Sequence, residues 1–201
     1  ESEYLAFVDN SFAMSNPVNI KKYKNALDLQ NLQSLGEVDF GGSVEGKGVA
    51  EAKVEMMATY AQWAVGRLDA KNGDDGETGM SVLTRAASAL NSLRDIAASK
   101  SSNDSDGKIY PGSVMAVTHS TYLRMLLSLA MEIPLAEAAS LTQNNCCINV
   151  LDVSLREMQT IGPKSPMFGG VISAAPSNFN LKIPKIEVVR MNEIRHLDGL
   201  L

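Results

Sequence analysis

His119 stands where an apolar run, Val114-Met115-Ala116-Val117-Thr118, gives way to Ser120-Thr121-Tyr122-Leu123-Arg124, a stretch that turns straight into an amphipathic helix. A histidine between a buried strand and a helix sits at the carboxyl edge of a sheet, where open α/β folds gather their ligands. It has the setting of half an active site, and the other half should stand at the end of a second strand. The first apolar run, Tyr4-Leu5-Ala6-Phe7-Val8, ends at Asp9-Asn10-Ser11, which offers neither a nucleophile nor a cation. Near the presumed pocket the sequence supplies Arg124 as a cation, about one helical turn past His119.

The elements that must position these residues follow from periodicity. Four apolar runs read as strands: Tyr4 to Val8, Val114 to Thr118, Cys146 to Val153 and Ile186 to Met191. Val49, Ala52, Met56, Tyr60, Trp63 and Arg67 recur at spacings of three and four and form one helical stripe ending near Gly66. Val82, Leu83, Ala86, Leu90, Leu93 and Ala97 form a second, followed by a polar loop from Ser99 to Gly107. A third helix begins after His119 and stops near Pro134. The segment 162–184, with four prolines and three glycines, reads as a surface excursion. The expected fold is α/β, a three-layer sandwich with a mostly parallel central sheet and helices on both faces, in one domain over residues 1–201.

Composition narrows the function classes. The chain has 201 residues, 45% of them apolar, enough for one sizeable core. Its net charge is −5, and its basic cluster, Lys21-Lys22-Tyr23-Lys24, is too short for a polyanion groove, so nucleic acid is not an expected partner. No stretch approaches the roughly 20 apolar residues of a membrane span. The start at Glu1 implies processing or an unseen leader. Cys146 and Cys147, neighbours in an apolar run, point to opposite faces and do not easily bridge; a reducing compartment fits, cytoplasmic or an organellar stroma or matrix, plastid included. Neither a metal nor another cofactor is expected: Asp9 has no second carboxylate at metal-site spacing.

In order along the chain, five pieces resemble the histidine phosphatase, or phosphoglycerate mutase-like, superfamily. Its second histidine, set between a strand and a leucine-rich helix, resembles His119. Its acidic motif is similar to Leu35-Gly36-Glu37, Phe40-Gly41 and Glu45-Gly46. Its Gly-Glu-Ser motif with a helical arginine is similar to Gly76-Glu77-Thr78 with Arg85. Its asparagine-led strand resembles Asn145 to Leu151, and its closing strand the stretch containing Asn192 and His196-Leu197. The family signature, Arg-His-Gly at the end of the first strand, is replaced: with Asn16 on the trailing asparagine, Asp9 falls on the arginine, Asn10 on the catalytic histidine and Ser11 on the glycine. The family's early helix and Ser-x-x-x-Arg-Ala segment has no counterpart between Asn16 and Leu35.

The resemblance implies a phosphoryl-transfer ancestry in which an imidazole attacks phosphorus, arginines and the second histidine hold the oxygens, and a carboxyl protonates the leaving group. An asparagine amide cannot form the covalent intermediate, because its nitrogen lone pair is delocalised into the carbonyl. Asp9 would repel the phosphate that an arginine attracts. The expectation is a catalytically inactive domain kept as a binding or structural module, an accessory subunit with protein partners in a larger assembly. Large organellar membrane complexes sometimes take up soluble domains in this way. Two alternatives stay open: an active phosphatase or mutase using His119 and Glu37, with His119 or Asp9 carrying the covalent step, and a sensor that binds a phosphorylated metabolite through His119 and Arg124 without cleaving it. Bland readings stand beside these. His119 can be a strand-end histidine bonded to backbone, and Glu37 a solvated loop carboxylate or helix-cap acceptor. Met56, Met57 and Trp63 can be core or interface, and His196, Cys146 and Cys147 packing residues.

Overall fold

Strand β4 (Val114–Thr118) spans the range of its apolar run, and its side chains alternate: Ala116 and Thr118 are buried, whereas Met115 and Val117 are 71% and 46% exposed. The computed structural model describes residues 2–9, 30–100, 102–103, 109–110, 112–168 and 177–198, with 2–9, 102–103 and 109–110 as backbone only. The other strands are β1 (Ser2–Asp9), β2 (Ser102–Asn103), β3 (Ile109–Tyr110), β5 (Ile148–Ile161) and β6 (Leu181–Glu193), and the helices are α1 (Val49–Ala64), α2 (Gly79–Ser99), α3 (Ser120–Met131) and α4 (Leu135–Ala138).

Four strands form one sheet in the order β4-β1-β5-β6. β1 and β4 are parallel, with Asp9 opposite Thr118, while β1–β5 and β5–β6 are antiparallel. The α/β class therefore holds, but the described sheet is mixed rather than mostly parallel. An apolar run does not encode strand direction; the long β5–β6 hairpin, running past its apolar runs into Gln159↔Ile183, sets it here. Ser102 and Asn103, in the polar loop expected after α2, pair with Tyr110 and Ile109 just beyond it in a small ladder, Ser102↔Tyr110 and Asn103↔Ile109.

α2 and α3 pack on each other, and both lie on the sheet. Val82, Leu83, Ala86, Leu90 and Leu93 of α2 meet Leu123, Leu126 and Leu127 of α3 and Ala116, Leu151 and Val153 of the sheet in one core. Burying each of these leucines stabilises the fold by about 1.5–3 kcal/mol over leaving it exposed. Helix α2 starts where Thr78 Oγ1 accepts the Ser81 N–H at 3.1 Å. Two glycines permit close approach: a Cβ on Gly79 would lie 2.9 Å from the Trp63 ring, and one on Gly112 would lie 2.2 Å from the Ala97 carbonyl oxygen, just ahead of β4.

Trp63 is buried, its Nε1–H donating to the Ala70 carbonyl at 2.8 Å, while Met57 and Val54 of α1 are 48% and 71% exposed and Val65, just past that helix, 59%. Two expectations about packing change. The described ends of segment 162–184 reach the core instead of running over the surface: Phe168 and Phe179 meet edge to face at 5.1 Å, and Ile183 is fully buried. Cys146 and Cys147 precede β5 rather than lying in it, Cys146 half-buried at φ 60° and Cys147 buried. Among the described residues no helix is long and apolar enough to cross a membrane.

Candidate functional site

The parallel register brings the ends of β1 and β4 to one sheet edge. β5 starts and β6 finishes at that same edge, where Val8 pairs with Ile148 and Ile148 with Glu193. Asp9 is the last residue of β1; Asn10 and Ser11, on which the signature argument turns, lie outside the described residues, as do Asn16 and Lys21 to Lys24.

His119 is the N-cap residue of α3, its carbonyl accepting the Leu123 N–H at 2.8 Å, and it makes no side-chain cap. Its imidazole is exposed and has no hydrogen-bond partner among the described residues. Capping falls to Glu37, whose Oε1 accepts the Tyr122 N–H at 3.0 Å and its neighbour Val38 N–H at 2.9 Å. A carboxylate on a free N–H of the first turn also meets the positive end of the helix dipole. The helix-cap alternative for Glu37 is thus the one observed.

Glu37 belongs to a segment held on every side. Arg85 Nη1 donates to the carbonyls of Ser34 at 3.2 Å and Gly36 at 2.7 Å, and Nη2 to that of Glu37 at 3.2 Å. The buried Thr118 hydroxyl donates to the Leu35 carbonyl at 2.6 Å, so the carbonyls from Ser34 to Glu37 are all taken. Arg85 also grips Glu77 through Nε at 3.0 Å and Nη2 at 2.7 Å, and its guanidinium stacks 4.4 Å over the Tyr122 ring. Burial works to raise the Glu77 pKa, but the hydrogen bonds from Arg85 and the Asp39 N–H outweigh it and hold the carboxyl below its ordinary value. Arg85 is committed to bracing this segment and has no donor left over for a phosphate.

Between this segment and β4 lies a cleft of 410 Å³. Leu32, Leu35 and Gly36 form one wall, Val114 to Val117 the other, Leu93 and Ile96 of α2 the end, and Gln30, Asn31, Gln33 and His119 the polar rim. Among the described residues no lysine or arginine lines it. Arg124 is not part of it: its Nε–H donates to the Leu141 carbonyl at 2.8 Å, and it lines a separate small pocket with Tyr60, Trp63 and Thr121. The pairing of His119 with Arg124 expected from sequence spacing is therefore not formed at the cleft. His196 is exposed in the turn after β6. The sheet order puts β4 and β6 on its two flanks, about 14 Å apart at ~4.8 Å per strand.

Sequence reasoning missed a buried amide network at the same edge. Asn149, fully buried, donates to Gln143 Oε1 at 2.8 Å and accepts the Asn192 N–H at 2.9 Å, while Asn192 Oδ1 accepts the Asn144 N–H at 2.8 Å. The signal was present in the amide-rich run Gln143-Asn144-Asn145, read only as the lead-in to a strand. Among the described residues no group of three or more His, Cys, Asp or Glu side chains could hold a metal ion.

An α/β sheet whose strand-end histidine, capping carboxylate and arginine brace converge at one edge defines a fold of the phosphoglycerate mutase-like kind. The family model of the histidine phosphatase superfamily (branch 1) matches residues 18–161, and the chain belongs to that superfamily. No curated protein shows significant sequence similarity to it. Among solved structures it is similar to a phosphoserine phosphatase from Entamoeba histolytica, with 11% identity and a TM-score of 0.55 over 97% of this chain and 99% of that one. It is similar also to a mycobacterial glucosyl-3-phosphoglycerate phosphatase, with 12% identity and a TM-score of 0.55 over 96% of this chain and 100% of that one. At these identities the likeness is one of fold.

Proposed function

We propose that this chain is a histidine phosphatase-fold domain without phosphoryl-transfer activity, retained as a protein-binding module and acting as an accessory subunit of a larger assembly, an organellar membrane complex being the kind of host envisaged. The observation that carries the reading is the charge of the cleft at His119: among the described residues no lysine or arginine lines it, and Arg85 and Arg124 are engaged elsewhere. A phosphoryl group bears charge on three equatorial oxygens and is held by cations aimed at them. The sequence adds that its two histidines are His119 and His196, which belong to opposite flanks of the sheet, and that Asn10 follows Asp9 at the end of β1. The outward apolar residues Val54 and Met57 of α1, with Val65 just past its end, are the sort of surface that a subunit buries against its neighbours.

The competing reading, turnover of a small phosphoester by His119 and Glu37, has the exposed imidazole in its favour. Against it stands the commitment of Glu37 to the Tyr122 N–H. A generic aryl phosphate separates the two. The expected result is no release of the phenol above the buffer rate and no difference between the native chain and His119→Ala. Turnover that vanishes in His119→Ala would overturn the proposal.

A further inference from the structure

We infer that the small pocket between α1, α3 and α4 holds a single halide-sized anion, bound by Arg124 with the hydroxyls of Tyr60 and Thr121. The site is separate from the cleft at His119 and goes beyond the binding-module reading of that cleft.

α4 packs against both α1 and α3. Where the three helices meet, Tyr60 and Trp63 of α1, Thr121, Arg124 and Met125 of α3 and Leu135 of α4 line a cavity of 20 Å³. That is room for about one water-sized occupant. Larger anions such as phosphate exceed it.

The polar groups that line the cavity are donors. Arg124 spends its Nε–H on the Leu141 carbonyl at 2.8 Å, and among the described residues its two Nη groups have neither a hydrogen-bond acceptor nor a carboxylate partner. The Tyr60 hydroxyl is buried beside Thr121 and makes no well-formed hydrogen bond. A buried O–H without an acceptor is destabilising, and an occupant that accepts from it removes that cost. Burial also pushes the Tyr60 pKa up, so the phenol stays protonated and able to donate at neutral pH. The Trp63 Nε1–H is taken by the Ala70 carbonyl, which leaves the indole as an apolar wall. A halide accepts from the guanidinium and both hydroxyls at once and brings no protons of its own, whereas a water would add two donors to a site short of acceptors. Glu37 is the acid whose charge reaches Tyr60, and its Oε1 is already covered by the Val38 and Tyr122 N–H groups.

The chain has one tryptophan, and it is this pocket residue, Trp63, at 1% exposure. Its fluorescence therefore reads the occupant: bromide is titrated into the full chain, with ionic strength held constant by sodium sulfate. Saturable quenching is expected, relieved by chloride and not by further sulfate. Arg124→Gln should weaken bromide binding by about tenfold or more and Tyr60→Phe by about threefold, the ratios for a charged and a neutral hydrogen bond. Chloride at ten times its dissociation constant should raise Tm by about 3–5 °C, and this increment should vanish in Arg124→Gln whatever that variant's own Tm. Tyr60→Phe, which keeps the ring, carries the comparison if Arg124→Gln does not fold. Absence of quenching, quenching that grows linearly with bromide, displacement by sulfate as well as by chloride, or saturable quenching unchanged in the variants overturns the inference.

Discussion

Glu37 illustrates how one side chain is claimed by structure rather than chemistry. Its carboxylate accepts from the Tyr122 N–H at the start of α3, a first-turn donor without an intrahelical partner. Glu37→Ala should cost about 0.5–2 kcal/mol of stability in urea denaturation, the range for loss of a helix cap. Glu37→Gln keeps an acceptor and loses only the charge in the helix field, so it should fall between the two, about 0.3–1 kcal/mol below the native chain. If alanine proves as stable as glutamate, the capping role is wrong. At this scale the sequence was half legible. It narrowed Glu37 to loop carboxylate, cap or acid, but the N–H that decides among them is 85 positions away, beyond any local spacing. The same holds for Arg124, which spacing put near His119 and which folding turns to the Leu141 carbonyl.

Between elements, the Arg85–Glu77 pair is the brace that ties α2 to the 34–39 segment. The Glu77 pKa is lowered in the folded chain, so the unfolded chain binds its proton more readily. The stabilisation this provides is complete above the ordinary carboxylate value, about 4.3, and is lost as pH falls through the lowered folded value. Glu77→Gln should therefore be less stable at neutral pH by about 2 kcal/mol, the scale of charged hydrogen bonds. It should also lose less than the native chain on acidification. Parallel stability curves against pH for the two proteins would show that the brace contributes nothing through its charge. The elements themselves were well marked by periodicity: β4 spans its apolar run, and α1, α2 and α3 follow their stripes. Strand direction and the extent of the β5–β6 hairpin were not. They are fixed by pairings such as Met158↔Pro184, between residues whose local sequence is not that of a buried strand.

Across the whole molecule, a core that joins α2, α3 and the sheet holds an architecture shared with phosphatases at 11–12% identity, while the cleft at the edge that would carry phosphate chemistry has no lysine or arginine among its described lining residues. The two are separable because the core depends on apolar volume and the chemistry on a few polar groups at strand ends. The central claim is that the imidazole left at this edge accepts no phosphoryl group. Phosphorus NMR of the native chain incubated with acetyl phosphate tests it most directly, because a phosphohistidine is read as a bonded species without reliance on turnover. The account predicts a spectrum of free donor and inorganic phosphate alone; a protein-bound phosphoramidate resonance that disappears in His119→Ala would contradict it.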